Sequence, residues 1–364
     1  MDFLKNIFGK KDKPIKSYSD FWDWFQKNEK FFFDVVKYQK NIEEDFFDKL
    51  SLKLDELKDG YFYLAGMLDE NTAELVLTAD GNTKNIVFVE ELVDSAPKIE
   101  GWKFTAHKLP SNIKDVNIKM GGYEFNEKNI NFYSNEFPEY PDEIDITVIH
   151  DDLTEENKPQ ISNGTYIFLD NFLGEIDFLI NIDSLKIIGK YEAEKEPVPI
   201  SKLKDFLTWR QKEFVEKYEG IRYDTENDNY SSLEAELSNG NMLFATINTD
   251  LITWDGKASH PWIAVLTLEY NGKNTNGMPN DSDYELLDLI EEEVIIELKD
   301  FDGYLNIGRQ TADNEREIYF ACNDFRKPSK VFFKIQQKYS DSFKIEFDIY
   351  KDKYWQSFKR FNVN

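Results

Sequence analysis

The chain has 364 residues, with 44 Lys/Arg against 70 Asp/Glu and a formal net charge of −26. Since one domain usually spans about 100 to 200 residues, this length predicts two domains. An aromatic content of 15%, placed in periodic apolar segments, excludes a disordered chain. The acidic balance argues against direct binding to nucleic acid or to anionic lipid, because the phosphates would be repelled.

Cysteine usage and apolar runs indicate the compartment. The chain has one cysteine, Cys322, and therefore no internal disulfide, which is typical of a reducing environment. No run approaches the roughly 18 apolar residues of a membrane helix, so we expect no transmembrane segment. The N-terminus lacks the continuous apolar core and cleavage site of a signal peptide. We therefore expect a cytoplasmic protein, with residues 1–16 as a flexible basic tail.

Residues 17–190 have the pattern of an α+β domain that opens with a helical hairpin. Ser17 can cap the first helix, and Asn41 can cap a second helix that ends before Gly60. Strand patterns follow at 61–68, 73–80, 102–108, 129–134, 143–150 and 175–182, with helices from about 86 to Pro97 and near 162–173. These strands predict a mixed or antiparallel sheet. The order between 73 and 182 also permits a fold related to that of the C-terminal half.

Residues 191–200 predict a linker, because they are polar, contain two prolines and separate two periodic regions. A C-terminal domain over 201–364 then begins with an extra amphipathic helix. Asn239-Gly240, between two strand patterns, predicts a hairpin with a type I′ turn.

From residue 262 onward, the pattern predicts the element order β-α-β-β-α-β. The nearly continuous apolar run 262–270 is typical of a central strand, and Ser282 begins a capping box for the helix that follows. Two strands joined around Asp313-Asn314, a helix with Pro328 near its start and a final alternating strand complete the order. This is the order of ferredoxin-like folds, so we expect a ferredoxin-like C-terminal domain.

Three segments of this half carry a family resemblance: LEYNGKNTNGMPN (268–280), DGYLNIGRQTADNEREIYFAC (302–322) and DKYWQSF (352–358). Over about residues 200–364, the chain resembles the domain-of-unknown-function 695 family. The resemblance implies an α+β bacterial domain and transfers no functional residue.

Catalytic and cofactor signatures are missing from the sequence. His107, His150 and His260 lie more than forty residues apart without paired cysteines, so we expect no metal site. No nucleophile elbow, phosphate-binding loop or dinucleotide fingerprint occurs, so we assign no catalytic residue and no cofactor. Neighbouring carboxylates such as Glu291 and Glu292 are typical of a solvated helix face.

The loop 253–263 is the most unusual segment, because it concentrates aromatic and titratable side chains between two strands. If the fold is as predicted, it can join an aromatic and basic binding patch of Trp254, Asp255, His260, Trp262, Arg309, Arg316, Tyr354 and Trp355. The alternative is structural: the tryptophans cover core edges and His260 satisfies a loop carbonyl.

Two functional hypotheses follow. The first is a non-catalytic binding or regulatory protein that holds a protein partner, of basic character, on its acidic surface, as an inhibitor or immunity protein does. Its motivation is that residues 301–364 carry 12 Lys/Arg against 9 Asp/Glu, which leaves 32 against 61, or −29, in residues 1–300. The alternative is an enzyme for a small anionic substrate, with His260 as acid or base and Arg309 as the anion-binding residue. It requires both side chains to face one pocket.

Overall fold

A computed structural model describes residues 13–361 of the chain. Its elements make an α+β protein, as predicted, and form two compact units, Met1–Leu109 and Pro110–Asn364. Most of the predicted basic tail, residues 1–12, lies outside the described residues. No helix within 13–361 is long and apolar enough to cross a bilayer.

The first unit packs helices against a three-stranded sheet. Its elements are α1 (Tyr18–Tyr38), a π-helical turn (Glu43–Phe47), α2 (Asp48–Asp55), β1 (Phe62–Met67), β2 (Ala73–Thr78), α3 (Thr83–Asp94) and β3 (Trp102–Ala106). β1 is antiparallel and β3 parallel to the central β2. The predicted helical hairpin is present, with Phe32 of α1 meeting Phe46 edge-to-face at 5.1 Å.

The two predicted caps of this hairpin have different outcomes. Ser17 caps α1, since its hydroxyl accepts a hydrogen bond from the Asp20 N–H at 3.2 Å. Asn41 does not act as a cap. It takes the left-handed φ of 50° in the turn after α1, and the π-helical turn then begins without a side-chain cap. Asn tolerates this conformation better than most residues, so the turn itself explains its presence.

The second unit begins with two small sheets and three helices. The elements are β4 (Ile118–Met120), β5 (Tyr123–Phe125), β6 (Ile130–Asn135), β7 (Asp145–His150), α4 (Lys158–Leu173), α5 (Glu175–Asn181), β8 (Ser184–Gly189), β9 (Val198–Pro199) and α6 (Leu203–Tyr218). β4 and β5 form one antiparallel pair, and the other sheet has the order β8-β7-β6-β9. The strands between 73 and 182 therefore belong to three different sheets and do not repeat the C-terminal arrangement.

The predicted strand at 175–182 is wrong, because these residues form α5 and the strand β8 follows it. Glu-Ile-Asp-Phe-Leu-Ile fits both a period of two and a short helix, and periodicity cannot separate the two for so short a run. Packing decides the outcome: Phe178 lies against the core of β6, β7 and α4.

The predicted boundary at 191–200 falls inside the second unit. Val198 and Pro199 form β9 and pair with β6, and Ile200 is buried in the same core cluster. Leu203 and Leu207 of α6 are buried in that cluster as well, so α6 packs with the elements before it. The polar, proline-containing composition reflects an exposed edge strand, where proline is tolerated.

The rest of the second unit is a six-stranded sheet with two long helices. Its elements are β10 (Tyr230–Glu236), β11 (Met242–Asn248), α7 (Thr249–Thr253), β12 (Trp262–Glu269), α8 (Asp281–Glu297), β13 (Tyr304–Ala312), β14 (Glu315–Cys322), α9 (Arg326–Tyr339) and β15 (Lys344–Lys351). The strand order is β10-β11-β13-β14-β12-β15, and every pair is antiparallel. The predicted β-α-β-β-α-β element order is present from β12 to β15.

Turn and cap residues of this half are partly as predicted. Asn239-Gly240 lies in the hairpin between β10 and β11, but only Gly240 has a positive φ, so the turn is not type I′. Asp313 and Asn314 have φ of 49° and 73° and form the tight turn between β13 and β14. Asn280, rather than Ser282, caps α8 by accepting a hydrogen bond from the Asp283 N–H at 3.0 Å.

The two faces of the sheet are covered differently. α8 and α9 lie on one face, where Phe332 of α9 meets Phe320 of β14 at 6.3 Å. The other face packs against α7 and the C-terminal 3-10 turn Gln356–Phe361, and its buried cluster includes Ile263, Tyr319 and Trp355. Because side chains alternate along a strand, each residue of the sheet is assigned to one of these faces.

A glycine at a bulge in β13 permits the close approach of β11. Gly308 has φ of 137°, and a Cβ there would lie 2.1 Å from the carbonyl oxygen of Thr246. We expect Gly308→Ala to lower the free energy of unfolding by about 3 kcal/mol, because a backbone atom must move. Urea titration measures this. Gly240→Asn is the control: its φ of 84° suits Asn and its surroundings are open, so a change below about 1 kcal/mol is expected. Equal effects of the two substitutions would contradict this explanation.

Candidate functional site

Three of the eight predicted site residues meet on the sheet face opposite α8 and α9. The ring of Trp254 lies 5.5 Å from that of His260 and 6.1 Å from that of Trp355. Trp355 is buried, and its indole N–H donates to the carbonyl oxygen of His260 at 2.9 Å. Tyr223 closes the group with an edge-to-face contact to Trp254 at 4.9 Å. Trp254 and Trp355 cover the core edge, as in the structural alternative, but the His260 ring bonds to the Ser259 hydroxyl and not to a loop carbonyl.

His260 is enclosed rather than presented to solvent. Its side chain is fully buried, and Nδ1 lies 2.8 Å from the Ser259 hydroxyl. Nε2 has no hydrogen-bond partner within residues 13–361. Burial lowers the pKa of His260 to about 4, and the positive charge of Arg222 acts in the same direction. The imidazole is therefore neutral at neutral pH.

Arg309 and Arg316 belong to a second group, on the face covered by α8. Arg316 is 0% exposed, and its Nη1 lies 2.6 Å from Asp288 Oδ1. Its Nε donates to the Thr311 hydroxyl at 3.1 Å. Arg309 Nη1 donates to Glu291 Oε2 at 2.8 Å and lies 3.9 Å from Asp288. The four charged side chains form one ion cluster between the helix and β13–β14.

The acidic half of this cluster comes from one stripe of α8. Tyr284, Asp288 and Glu291 are spaced i, i+4, i+7, which places them on one helix face. The guanidinium carbon of Arg316 lies 4.8 Å from the centre of the Tyr284 ring. Burial raises the pKa of Glu291, and the charge of Arg309 opposes that shift. The expectation that Glu291 is part of a solvated helix face is wrong, because Glu291 is on the buried side of α8 that faces the sheet. The arginines that bury it are in distant strands, so no local pattern reveals it.

Tyr354 lies apart from both groups. Its hydroxyl donates to Asp142 Oδ2 at 2.7 Å, and Asp142 also accepts from Tyr218 at 2.6 Å and Lys217 at 2.9 Å. Burial raises the pKa of Tyr354, and the hydrogen bond to Asp142 adds to the shift. These contacts attach the segment after β15 to α6 and to the loop before β7.

Trp262 lies next to Lys351, which shares the carboxylate of Asp183 with the buried Lys353. It is buried against Phe325 at 4.7 Å, and Lys351 Nζ lies 5.9 Å from its ring centre. Asp183 is 2.5 Å from Lys351 Nζ and 2.7 Å from Lys353 Nζ. Burial lowers the pKa of Lys351 to about 8, against the opposing effect of Asp183. The lysines are held by hydrogen bonds within the unit, which gives them a structural role.

The geometry does not join His260 and Arg309 into one site. His260 packs with the aromatic group on one sheet face, whereas Arg309 is bound by Glu291 on the other. Asp255, the remaining predicted residue, is exposed in the turn before Lys257–Ser259. The patch expected from the sequence is therefore divided among separate places, and the pocket that the enzyme hypothesis requires is not formed by these two side chains.

The described part of the second unit includes surface clefts at two places. One of about 510 Å³ lies at the end of the large sheet, between Tyr270, Asn314 and Phe343. Its Lys344 is already paired with Glu346 at 3.0 Å. The other, of about 340 Å³, is lined by Phe137, Tyr140, Pro141, Glu143 and Arg210. Within residues 13–361, no three His, Cys, Asp or Glu side chains are close enough to hold a metal ion.

The outer side of α8 combines acidic with exposed aliphatic side chains. Of the 17 residues of α8, eight are acidic and none is basic. We name Glu285, Leu289, Glu292 and Ile296 the α8 outer stripe. Their spacing of i, i+4, i+7 and i+11 places them on one face, away from the buried Leu287, Ile290 and Val294. Leu289 is 52% exposed and Ile296 69% exposed.

The acids of α8 differ in what compensates their charge. The inner ones meet Arg309 and Arg316, and Glu293 and Glu297 pair with Lys338 at 2.7 Å and Lys334 at 3.1 Å. Glu285 and Glu292 are exposed and have no ion pair within the described part of the chain. The stripe therefore alternates uncompensated carboxylates with exposed aliphatic side chains, a composition suited to binding a protein.

The segments that carry the family resemblance are close together in this half. The carbonyl oxygen of Gly277 accepts from the Tyr270 hydroxyl at 2.9 Å and from the Asn314 N–H at 2.8 Å. The first two segments thus meet at the end of the sheet, next to the start of α8. The third segment contains Trp355, which covers the opposite face.

Residues 235–362 match the model of DUF695, a family of unknown function. The resemblance expected from the sequence is confirmed, over a range that begins later than residue 200. The DUF695 region contains all eight predicted site residues and the whole of α8. No curated protein and no solved structure matches the chain.

The buried imidazole of His260, in the DUF695 region, should make the free energy of unfolding depend on pH. Because the folded pKa of His260 is about 4 and the ordinary value is 6.5, the unfolded chain binds more protons between these values. Stability from this group is therefore complete above pH 6.5 and is lost as the pH falls towards 4, by about 3 kcal/mol. His260→Leu removes the titration, so the stability advantage of wild type over variant should shrink by that amount between pH 7 and pH 4. Urea titrations at both pH values measure it, and a constant advantage would contradict the burial argument.

Proposed function

We propose that this chain is a non-catalytic binding or regulatory protein that holds a basic protein partner on the α8 outer stripe. The observation that supports this most is the stripe itself: two uncompensated carboxylates alternate with two exposed aliphatic side chains on a helix whose inner acids are all engaged. Acidic surface of this kind accelerates encounter with a basic protein.

The two kinds of side chain in the stripe contribute differently. Leu289 and Ile296 supply apolar area that is removed from water on binding, which gives affinity. Glu285 and Glu292 flank this area and select partners with Lys or Arg at matching positions. Those long side chains cover the aliphatic groups with their methylene stems while their charges meet the carboxylates. The partner surface is therefore expected to be apolar at its centre and basic at its rim.

The helix is held rigidly enough to present the stripe. Its inner face is fixed by the ion cluster with Arg309 and Arg316 and by buried Leu287, Ile290 and Val294. A preorganised surface loses less conformational entropy on association, which favours recognition. The net charge of −26 supports the choice of a basic partner for the protein as a whole.

The proposal extends to the cellular location, the fold of the C-terminal half and the kind of regulation. We propose a cytoplasmic location, supported by a single cysteine, Cys322, which is buried in β14. We propose a ferredoxin-like fold for residues 262–351, supported by the element order and the β13-β14-β12-β15 strand order. In its most specific form, the proposed role is that of an inhibitor or immunity protein, in which the acidic protein neutralises a basic enzyme.

The charge of the stripe can be reversed without touching the core. We expect Glu285→Lys with Glu292→Lys to weaken binding of the partner about tenfold or more at low salt, and less at high salt, because rim charges act through screened electrostatics. Proteins captured from native lysate by wild type and eluted by salt would be identified, purified and titrated against both forms.

The matched control is Glu194→Lys with Glu196→Lys, which makes the same charge change at exposed positions far from α8 in sequence. This control should keep affinity within about threefold of wild type, since only general electrostatics changes. Equal loss in both double variants would show that net charge alone matters, and unchanged binding by the α8 variant would refute the stripe as the contact surface.

A further inference from the structure

β10 is the terminal strand of the six-stranded sheet and has one paired side. It pairs with β11 in seven regular register positions without a bulge. Within the described residues, no strand is hydrogen-bonded to its other side. Free strand edges are sites where a second chain can add, and proteins usually protect them.

The hydrogen-bond pattern shows which backbone groups face outward. The Leu237 N–H donates to the Asn241 carbonyl at 2.8 Å, and the Thr249 N–H donates to the Asn229 carbonyl at 2.9 Å. In an antiparallel pair, hydrogen-bonded positions alternate, so odd-numbered residues of β10 face β11. The outward N–H and C=O groups belong to the even-numbered positions Tyr230, Ser232, Glu234 and Glu236, which we name the β10 edge.

The usual protections of an edge strand are weaker on β10 than on β15, the other terminal strand. β15 begins and ends with lysine, and the Gln336 amide donates to its Ile345 carbonyl at 2.6 Å. β10 has the sequence Tyr-Ser-Ser-Leu-Glu-Ala-Glu, without proline, lysine or arginine. It is therefore the more accessible of the two edges for strand addition.

The side chains beside this edge indicate what would bind. All four residues of the β10 edge lie on one face, next to Phe244 of β11, which pairs with Glu234. Tyr230 is 48% and Phe244 42% exposed. Burial raises the pKa of Tyr230, and the charges of Asp228, Asp300 and Glu291 add to the shift. The edge thus combines an aromatic position at one end with two carboxylates at the other, in negative surroundings.

We propose that the β10 edge binds an extended basic segment of the partner by antiparallel strand addition. Lys or Arg would lie opposite Glu234 and Glu236, and an apolar residue opposite Tyr230. Opposite charges directly across a sheet stabilise pairing, whereas like charges disfavour it. The inference takes the basic character of the partner from the proposed function, but it concerns a surface separate from the α8 outer stripe.

The test uses a blocked heptapeptide, acetyl-Lys-Thr-Lys-Thr-Thr-Thr-Val-amide, with the full-length protein. In the free protein, amide hydrogens at the four even-numbered positions should exchange fast and those of Ser231, Leu233 and Ala235 slowly. Saturating peptide should slow the even-numbered amides about tenfold or more, since they gain backbone partners. Unchanged exchange at these amides would overturn the proposal. The proposal would also be overturned if these amides were protected from exchange without peptide and light scattering showed a dimer, because a second copy of the chain would then occupy the β10 edge.

Modified peptides separate strand addition from simple charge attraction. N-methylation at peptide positions 3 and 5 removes donors that face β10 and should weaken binding about tenfold, whereas methylation at positions 2 and 4 faces solvent and should not. Glutamate in place of both lysines should abolish binding. Equal binding of both methylated peptides, or of the glutamate peptide, would refute the mechanism.

Protein variants separate this inference from the proposed function. Ser232→Pro removes one outward N–H but no bond to β11, so peptide affinity should fall about tenfold while the fold is kept. Glu285→Lys with Glu292→Lys should leave peptide affinity within about threefold. If the α8 double variant loses peptide binding and Ser232→Pro keeps it, the peptide does not bind at the β10 edge and the proposal is overturned. If the α8 double variant loses binding of the partner but keeps binding of the peptide, the two surfaces are separate. If Ser232→Pro does not fold, the methylated peptides decide.

Discussion

A fully buried guanidinium constrains the C-terminal half of this protein. Arg316 lies near the start of the inner strand β14 and under α8, where an uncompensated charge would be very costly. Asp288 at 2.6 Å and the hydroxyl of Thr311 supply the compensation, and Arg309 with Glu291 extends the cluster. Asp288 and Glu291 bind the two arginines because the face of α8 that carries them is turned towards the sheet. In this orientation Leu289 and Ile296 point outward, so the buried ion cluster determines which surface the helix presents.

The sheet separates this polar layer from an aromatic one. On the opposite face, Trp254, His260 and Trp355 pack with the C-terminal turn, and His260 is kept neutral there by burial. Groups that a linear view of the sequence would combine into a reactive centre therefore lie on different faces: Arg309 and Arg316 project from β13 and β14 towards α8, whereas the loop residues Trp254 and His260 pack on the opposite side. The unusual residues of the 253–263 loop are explained mainly by packing, and the candidate binding surface lies on α8.

The parts of the fold that the sequence predicts are those set by local pattern. The β12 to β15 order follows from clean apolar periodicity, and the turn at Asp313-Asn314 follows from two residues that tolerate positive φ. The parts that it misses depend on distant partners. Glu291 is buried only because Arg309 lies opposite, and Ile200 is buried only because it completes the core of β6 and β7. The run 175–182 fits two periods equally, and the packing of Phe178 selects the helix. The sequence alone does not reveal the α8 outer stripe. Acidic residues occur all along α8, and only the positions of Arg309 and Arg316 show which of them are buried and which are exposed.

A double-mutant cycle of Arg316→Met and Asp288→Leu in urea unfolding measures whether the Arg316–Asp288 pair fixes the position of α8. If the pair positions the helix, the coupling free energy between the two substitutions should be about 2 kcal/mol, with each single variant clearly destabilised and the double variant destabilised by less than the sum of the two. A coupling below about 0.5 kcal/mol would show that the two side chains act independently and that packing alone positions the helix.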